Sequence, residues 1–156
     1  MSYKKPAGLR YGSSSERSAA GIRERFGAVD GSPQPSRRGD VSVFVGDRWY
    51  RISLQNGQET SADLRLDVSR LHQQILQPVL GVGDVTRDKR IDFVGGGRGP
   101  QTLERLVREG HAAVAFSMYP VGIEDIVQVS DAGGIMPPKS TWFEPKLRDG
   151  LLSYLF

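Results

Sequence analysis

The chain has 156 residues, 38% of them apolar, with 21 Lys and Arg against 18 Asp and Glu and no cysteine. The lack of cysteine excludes a disulfide framework, a thiolate zinc site and a cysteine nucleophile, so we expect a cytoplasmic protein. The longest apolar stretches, such as 112–118, are far shorter than the ~20 residues of a membrane span, and residues 1–10 lack the apolar core of a signal peptide. We therefore expect a protein that neither crosses a membrane nor is exported.

The positive charge lies at the start of the chain. Residues 1–40 hold eight basic and four acidic side chains, whereas the other 116 residues hold 13 basic and 14 acidic ones. A sequence pI of 9.4 would favour nucleic acid, but the charge is confined to this leader, so nucleic acid is the least favoured partner. Gly, Ser and Pro dominate 12–15 and 31–36, which bury little apolar surface. We predict a basic, largely disordered leader over 1–40 and a compact domain over 41–156.

The first predicted elements of the domain are a hairpin and a helix. Two β-rich runs, 41–45 and 49–54, are separated by a Gly-Asp-Arg turn. Asp67 then suits the N-cap of a helix, and Pro78 is expected to end it. Three apolar side chains share one face of that helix: Val68, Leu71 and Ile75.

A strand, a glycine-rich segment and a second helix follow. The strand is predicted over 91–94, and the glycines of 95–99 end it. Pro100 suits the first position of a helix, because the missing N–H of proline has no partner to lose there. We therefore expect a β-loop-α unit whose loop is rich in glycine.

The rest of the chain predicts a central strand, a third helix and two short strands. Residues 112–119 are apolar on both faces, which is typical of a strand covered on both sides. The helix is predicted over 122–132, and the short strands over 141–143 and 151–156. The order ββαβαβαββ indicates an α+β (mixed α/β) fold with about five to six strands and three helices.

The glycine-rich segment is the first candidate for anion binding. The segment spans residues 95–99, and its candidate binding residues are Gly95, Gly96, Gly97 and Arg98. It lies between a strand and a helix, where free N–H groups and the helix dipole favour a phosphate or carboxylate. The dinucleotide fingerprint fails, because Pro100 stands where the last glycine is required. An ordinary flexible connection is the alternative.

The second candidate is the loop that contains Lys139, Ser140 and Thr141. Its spacing resembles a phosphate-binding P-loop, but Pro138 replaces the second glycine, so it is not a Walker motif. A cation and two hydroxyls in a loop stiffened by two prolines still suit phosphate or carboxylate recognition. A purely structural turn would have the same composition.

Asp92 is a candidate base or magnesium ligand. It alternates with Ile91 and Phe93, so its side chain is expected on the opposite side from theirs, near the glycine-rich segment. Pairing with a neighbouring arginine is the simpler alternative. His72 and His111 lack the spaced partners of a metal site, and no metal site is predicted.

Five motifs resemble those of a known family. They are LDVS at 66–69, LQPVLG at 76–81, DKRIDFVGG at 88–96, AVAF at 113–116 and the long MPPKSTWFEPKLRDGL at 136–151. Together they resemble the C-terminal part of the family called domain of unknown function 1015, over about residues 23–156. Longer relatives carry a ParB-like N-terminal half with a Gly-His-His-Arg segment, which this sequence lacks.

The resemblance implies a module of a small-metabolite enzyme, since some relatives are associated with ATP-dependent phosphorylation of free serine. ATP and Mg²⁺ would then be the cofactors. Lys139 would neutralise a phosphate or substrate carboxylate, and Asp92 would serve the metal or the hydroxyl. The remaining residues would bind substrate or phosphate: Gly95, Gly96, Gly97, Arg98, Ser140, Thr141 and Lys146.

Two classes of function follow from these observations. The first is the enzyme module, incomplete alone, which acts on a small anionic metabolite or nucleotide. The second is a noncatalytic binding or assembly module that forms a homodimer or pairs with a separate N-terminal domain, because an isolated half would expose the surface that meets its partner.

Overall fold

The computed structural model describes residues 2–3, for which only the backbone is considered, and residues 21, 24, 26–55 and 61–141. The strands in chain order are β1 (Ser2–Tyr3), β2 (Val29–Asp30), β3 (Asp40–Val45), β4 (Arg48–Ser53), β5 (Ile91–Asp92) and β6 (Val114–Met118). Helix α1 has three consecutive segments (Asp67–Leu71, His72–Leu76 and Gln77–Leu80), followed by α2 (Gly99–Arg108) and α3 (Ile123–Asp131). Two 3₁₀ turns, Asp63–Arg65 and Gly96–Arg98, precede α1 and α2.

The strands form one sheet in the order β2-β4-β3-β6-β1-β5, and every neighbouring pair is antiparallel. With its helices, this sheet confirms the predicted mixed α+β class. Only three of these strands, β3, β4 and β6, are longer than two residues. The sheet therefore has fewer long strands than the predicted five to six.

The hairpin of β3 and β4 is confirmed, with a turn of two residues rather than three. Val45 pairs with Arg48 across it. The two turn residues, Gly46 and Asp47, have φ angles of 57° and 72°. Left-handed values at both positions match the twist of a two-residue hairpin and explain why glycine and aspartate stand there.

Helices cover both faces of the sheet. Val41, Val43 and Val45 of β3 belong to a buried cluster with the apolar side chains of α1, whereas Phe44 belongs to a second cluster with those of α2. Because alternate side chains of a strand point to opposite faces, α1 and α2 lie on opposite sides. Strand β6 is buried on both faces through Val114, Ala115 and Phe116, as its apolar composition predicts.

Helix α1 differs from its predicted start and end. Asp67 is its first helical residue rather than its N-cap. The helix passes through Pro78 to Leu80 and ends at Gly81, which has a φ of 66°. In the preceding π-helical turn the N–H of Gln77 bonds to the carbonyl of His72, five residues back. Pro78 thus stands at the beginning of a new α segment, where its missing N–H costs little.

The predicted leader lies mostly outside the described residues. Within its described part, β1 pairs with β5 and β6, and β2 pairs with β4. Phe26 and Ala28 pack against the core, and the buried Asp40 begins β3.

The strand predicted over 151–156 lies outside the described residues. So does the one over 141–143, except for Thr141, which is not in a strand. Within the described ranges, no helix has the length and apolar character needed to cross a bilayer.

Candidate functional site

The candidate site lies where β5 and β6 end. Both strands are antiparallel to β1, which lies between them, so they run in the same direction and their carboxyl ends meet at one edge of the sheet. Helix α2 connects them. The segments that follow the two strands therefore face each other, and they form the walls of a cleft.

This cleft brings the two predicted anion-binding segments together. Its cavity volume is about 490 Å³, a size common among small-molecule sites. Gly95 and Gly96 line it from the segment before α2, and Gly99 lines it from the first position of that helix. Lys139 and Ser140 line it from the loop after α3. Some 40 residues separate these segments in sequence, so the fold places them in one cavity.

The conformation of the glycine-rich segment explains one of its four glycines. Gly99 has a φ of 70°, a left-handed value that residues with a Cβ rarely adopt. Gly95, Gly96 and Gly97 have no positive φ, and a Cβ added to any of them would meet no described atom within 4 Å. Neither backbone conformation nor packing within the described structure therefore requires glycine at these three positions.

The loop after α3 holds Lys139 in an unusual conformation. Its φ of 60° lies in the left-handed region that favours glycine, and its side chain is exposed. The next residue fixes the turn, because the Ser140 hydroxyl donates to the carbonyl of Pro137 at 2.6 Å and the Ser140 N–H donates to the same oxygen at 3.3 Å. In this turn, both Lys139 and Ser140 line the cleft.

Other predicted site residues lie outside the lining. Asp92 is exposed and accepts a hydrogen bond from the N–H of Phe93 at 2.9 Å. Gly97 and Arg98 are exposed on the 3₁₀ turn, and Thr141 is exposed beyond Ser140. None of the four is part of the cavity wall. Lys146 lies outside the described residues.

Sequence reasoning missed most of the cleft wall. Phe93, Val94, Leu103, Met118 and Tyr119 line it, although their patterns indicated strand and helix cores. A segment of the predicted leader, residues 34–35, lines it as well. No local signal marks such residues, because the wall forms only when distant segments pack together.

Residues 38–39, at the end of the predicted leader, contact the first turns of α1 and α3 through an ion pair and a hydrogen bond. The Nη1 atom of Arg38 lies 2.6 Å from Oδ1 of Asp125, whose Oδ2 accepts the N–H of Gly122 at 2.9 Å and caps α3. The N–H of Gly39 donates to Oδ2 of Asp67 at 2.9 Å. Burial raises the pKa of the Asp67 carboxyl above its ordinary value. These contacts join the segment before β3 to the start of α1 and α3.

Side chains that could hold a metal ion are not clustered in the described part of the chain. No group of three or more His, Asp and Glu side chains there could hold a metal ion. Among the described residues, the cleft lining has no Asp or Glu, although carboxylates are the usual protein ligands of Mg²⁺. The cofactor pair of ATP and Mg²⁺ therefore stays a prediction of the family resemblance.

Comparisons with protein-family models, with curated proteins and with solved structures found no match to this chain. The resemblance to the C-terminal part of domain of unknown function 1015 therefore stays a prediction that depends on the motifs quoted above.

Proposed function

We propose that this chain is a binding module whose cleft takes a small anionic metabolite by its phosphate or carboxylate group. One observation carries the proposal: two segments that each suit an anion line the same cavity, and the described residues of that lining include a lysine and no acidic side chain. Within the described part of the chain, no ion pair of Lys139 is found. None of the described acidic side chains therefore neutralises its charge.

The unexplained glycines support the same proposal. Since a Cβ at Gly95 or Gly96 would meet no described atom, packing within the described structure does not account for these residues. Glycine also serves where a ligand must approach the backbone closely, and backbone N–H groups before a helix bind anions well. The 3₁₀ turn follows immediately and α2 begins at Gly99, so the N-terminal end of the helix dipole lies next to this segment.

Phosphorylation of free serine with ATP is a narrower proposal, and the family resemblance is its only support. The described residues of the lining suit the anionic groups of ATP or of serine but include no carboxylate for Mg²⁺. Asp92, the predicted base, is not part of the cavity wall. We therefore propose ligand binding, and not phosphoryl transfer, for the described part of the chain.

Isothermal titration calorimetry tests the binding proposal. The full chain is titrated with inorganic phosphate, O-phosphoserine and serine, and then with ATP and Mg²⁺. Lys139→Ala should weaken anion binding about ten- to hundredfold, because a hydrogen bond to a charged group contributes about 1.5–3 kcal/mol. Lys89→Ala is the matched control, since Lys89 is exposed and does not line the cleft. Equal affinities for the two variants would contradict the proposal.

Assembly is a second candidate function, supported by exposed apolar side chains. Ile123 and Val127 are one turn apart on α3 and are 72% and 51% exposed, and Ile135 beyond the helix is 86% exposed. Neighbouring exposed apolar groups are typical of interaction surfaces. We propose that this face forms a homodimer. Sedimentation equilibrium should show association that Val127→Asp abolishes, and a chain that stays monomeric up to high concentration would contradict it.

A further inference from the structure

We infer that the ligand of the cleft is an amphiphilic anion, in which the charged group is attached to an aromatic or aliphatic body. This inference rests on the proposed anion-binding function and goes beyond it, because it concerns the rest of the ligand. It follows from the chemistry of the wall that faces the cavity.

Most of the cleft wall is apolar. Phe93 and Val94 follow β5, Leu103 projects from α2, and Met118 and Tyr119 are at the end of β6. The charged and small polar groups of the described wall come mainly from two short segments, 95–96 and 139–140, and its other polar side chains are those of Gln34, Ser117 and Tyr119. A ligand that fills the cavity therefore meets an anion-binding region and an extended apolar surface together.

The apolar side chains at the cleft are not fully covered by the protein. Phe93, Val94, Met118 and Tyr119 are all half-buried, although the first three also pack against the core clusters. Exposed apolar surface is unfavourable in water, and each square ångström that a ligand covers contributes about 25 cal/mol. A ligand with an apolar body gains this free energy, whereas a wholly polar ligand does not.

The size of the cavity supports the same conclusion. Its volume of about 490 Å³ lies within the range of about 300–1,000 Å³ that is typical of sites for drug-sized ligands. A phosphate ion or a free serine fills only a small part of that space. The remaining volume is bounded by the apolar side chains, so a body attached to the anionic group would lie against them.

Calorimetry with three phosphates of different bodies tests the inference on the full chain. Phenyl phosphate should bind at least tenfold more tightly than inorganic phosphate or O-phosphoserine, and with a more negative heat-capacity change, which indicates apolar burial. Val94→Thr keeps the side-chain shape but adds a hydroxyl to the wall. It should weaken phenyl phosphate and leave inorganic phosphate unchanged. Val121→Thr, at another half-buried wall position, provides a second variant if the first lowers the melting temperature.

The outcomes separate this inference from the proposed function. If phenyl phosphate binds no more tightly than inorganic phosphate while Lys139→Ala weakens both, the amphiphilic ligand is wrong and the anion site stands. If none of the three phosphates binds, or if Lys139→Ala leaves their affinities unchanged, the anion site itself is wrong. Tight binding of phenyl phosphate that both wall variants leave intact also overturns the inference.

Discussion

Replacing Lys139 with glycine separates the folding role of this residue from its binding role. Lys139 has a φ of 60°, and the left-handed conformation costs a residue with a Cβ about 1–2 kcal/mol. Glycine removes that cost, but it adds about 0.5–1 kcal/mol of backbone entropy to the unfolded chain. We therefore expect Lys139→Gly to be between unchanged and about 1.5 kcal/mol more stable. For a chain of this length, that gain corresponds to a melting-temperature rise of up to about 6 °C.

Urea unfolding followed by circular dichroism measures this change. Lys139→Ala keeps the left-handed conformation and should show no such gain, so it is the matched control for glycine. Both variants should have a similarly reduced affinity for anions, because both remove the lysine charge. If Lys139→Gly were less stable than the wild type by more than about 1 kcal/mol, the lysine side chain would be stabilising the loop, and our interpretation of a residue kept for binding would be refuted.

Three further predictions concern the packing around the sheet. Gly31→Ala should lower the free energy of unfolding by about 1–3 kcal/mol, because the new Cβ would lie 2.7 Å from a backbone nitrogen of β4. An unchanged urea midpoint would contradict the close packing of Gly31 against β4. Glu104→Ala should lower the free energy of unfolding by about 1–3 kcal/mol, since the Nε1–H of Trp49 would lose the carboxylate to which it donates at 2.8 Å. Glu104→Gln keeps an acceptor and should retain most of the wild-type stability. Hydrogen bonds from Arg90 lower the pKa of Asp88 from 3.8 to about 2. The stability they provide is present above about pH 4 and is lost as pH falls toward 2. The gap in urea midpoint between wild type and Asp88→Asn should therefore narrow over that interval, and a gap independent of pH would contradict the pairing.

The local elements of this fold could be predicted because their signals are local. Glycine and aspartate between two β-rich runs indicate the hairpin, and both residues have the left-handed φ that its turn requires. Pro100 indicates the start of α2, which begins at Gly99. Strand β6 is apolar at successive positions because helices cover the sheet on both faces. In each case the reason for the structure lies within a few residues.

Features that depend on distant contacts could not be predicted. The short pairings of β1 and β2 place parts of a polar leader in the sheet, and no periodicity marks them. Pro78 predicts a helix end, but a π-helical turn before it lets the helix continue. Strand β5 is two residues shorter than expected, because Phe93 and Val94 leave the sheet to line the cleft.

The candidate site shows the same division. Composition and spacing predict an anion-binding role for Gly95, Gly96, Lys139 and Ser140, and the fold places all four around one cavity. Asp92 follows the alternation of its strand, but β5 ends there, and its carboxylate accepts the next backbone N–H instead of lining the cleft. Strand alternation predicts where a side chain points only while the strand continues.

We propose that the glycine-rich segment and the loop after α3 bind one anion together. Two-dimensional ¹H–¹⁵N NMR of the full chain, titrated with phosphate, tests it most directly. The backbone amide signals of Gly95, Gly96, Gly99 and Ser140 should shift along a single binding curve. Lys139→Ala should move that curve to about ten- to hundredfold higher phosphate concentration, whereas Lys89→Ala should leave it unchanged. Shifts confined to the basic residues of 1–40, or different affinities for the two segments, would contradict a shared site.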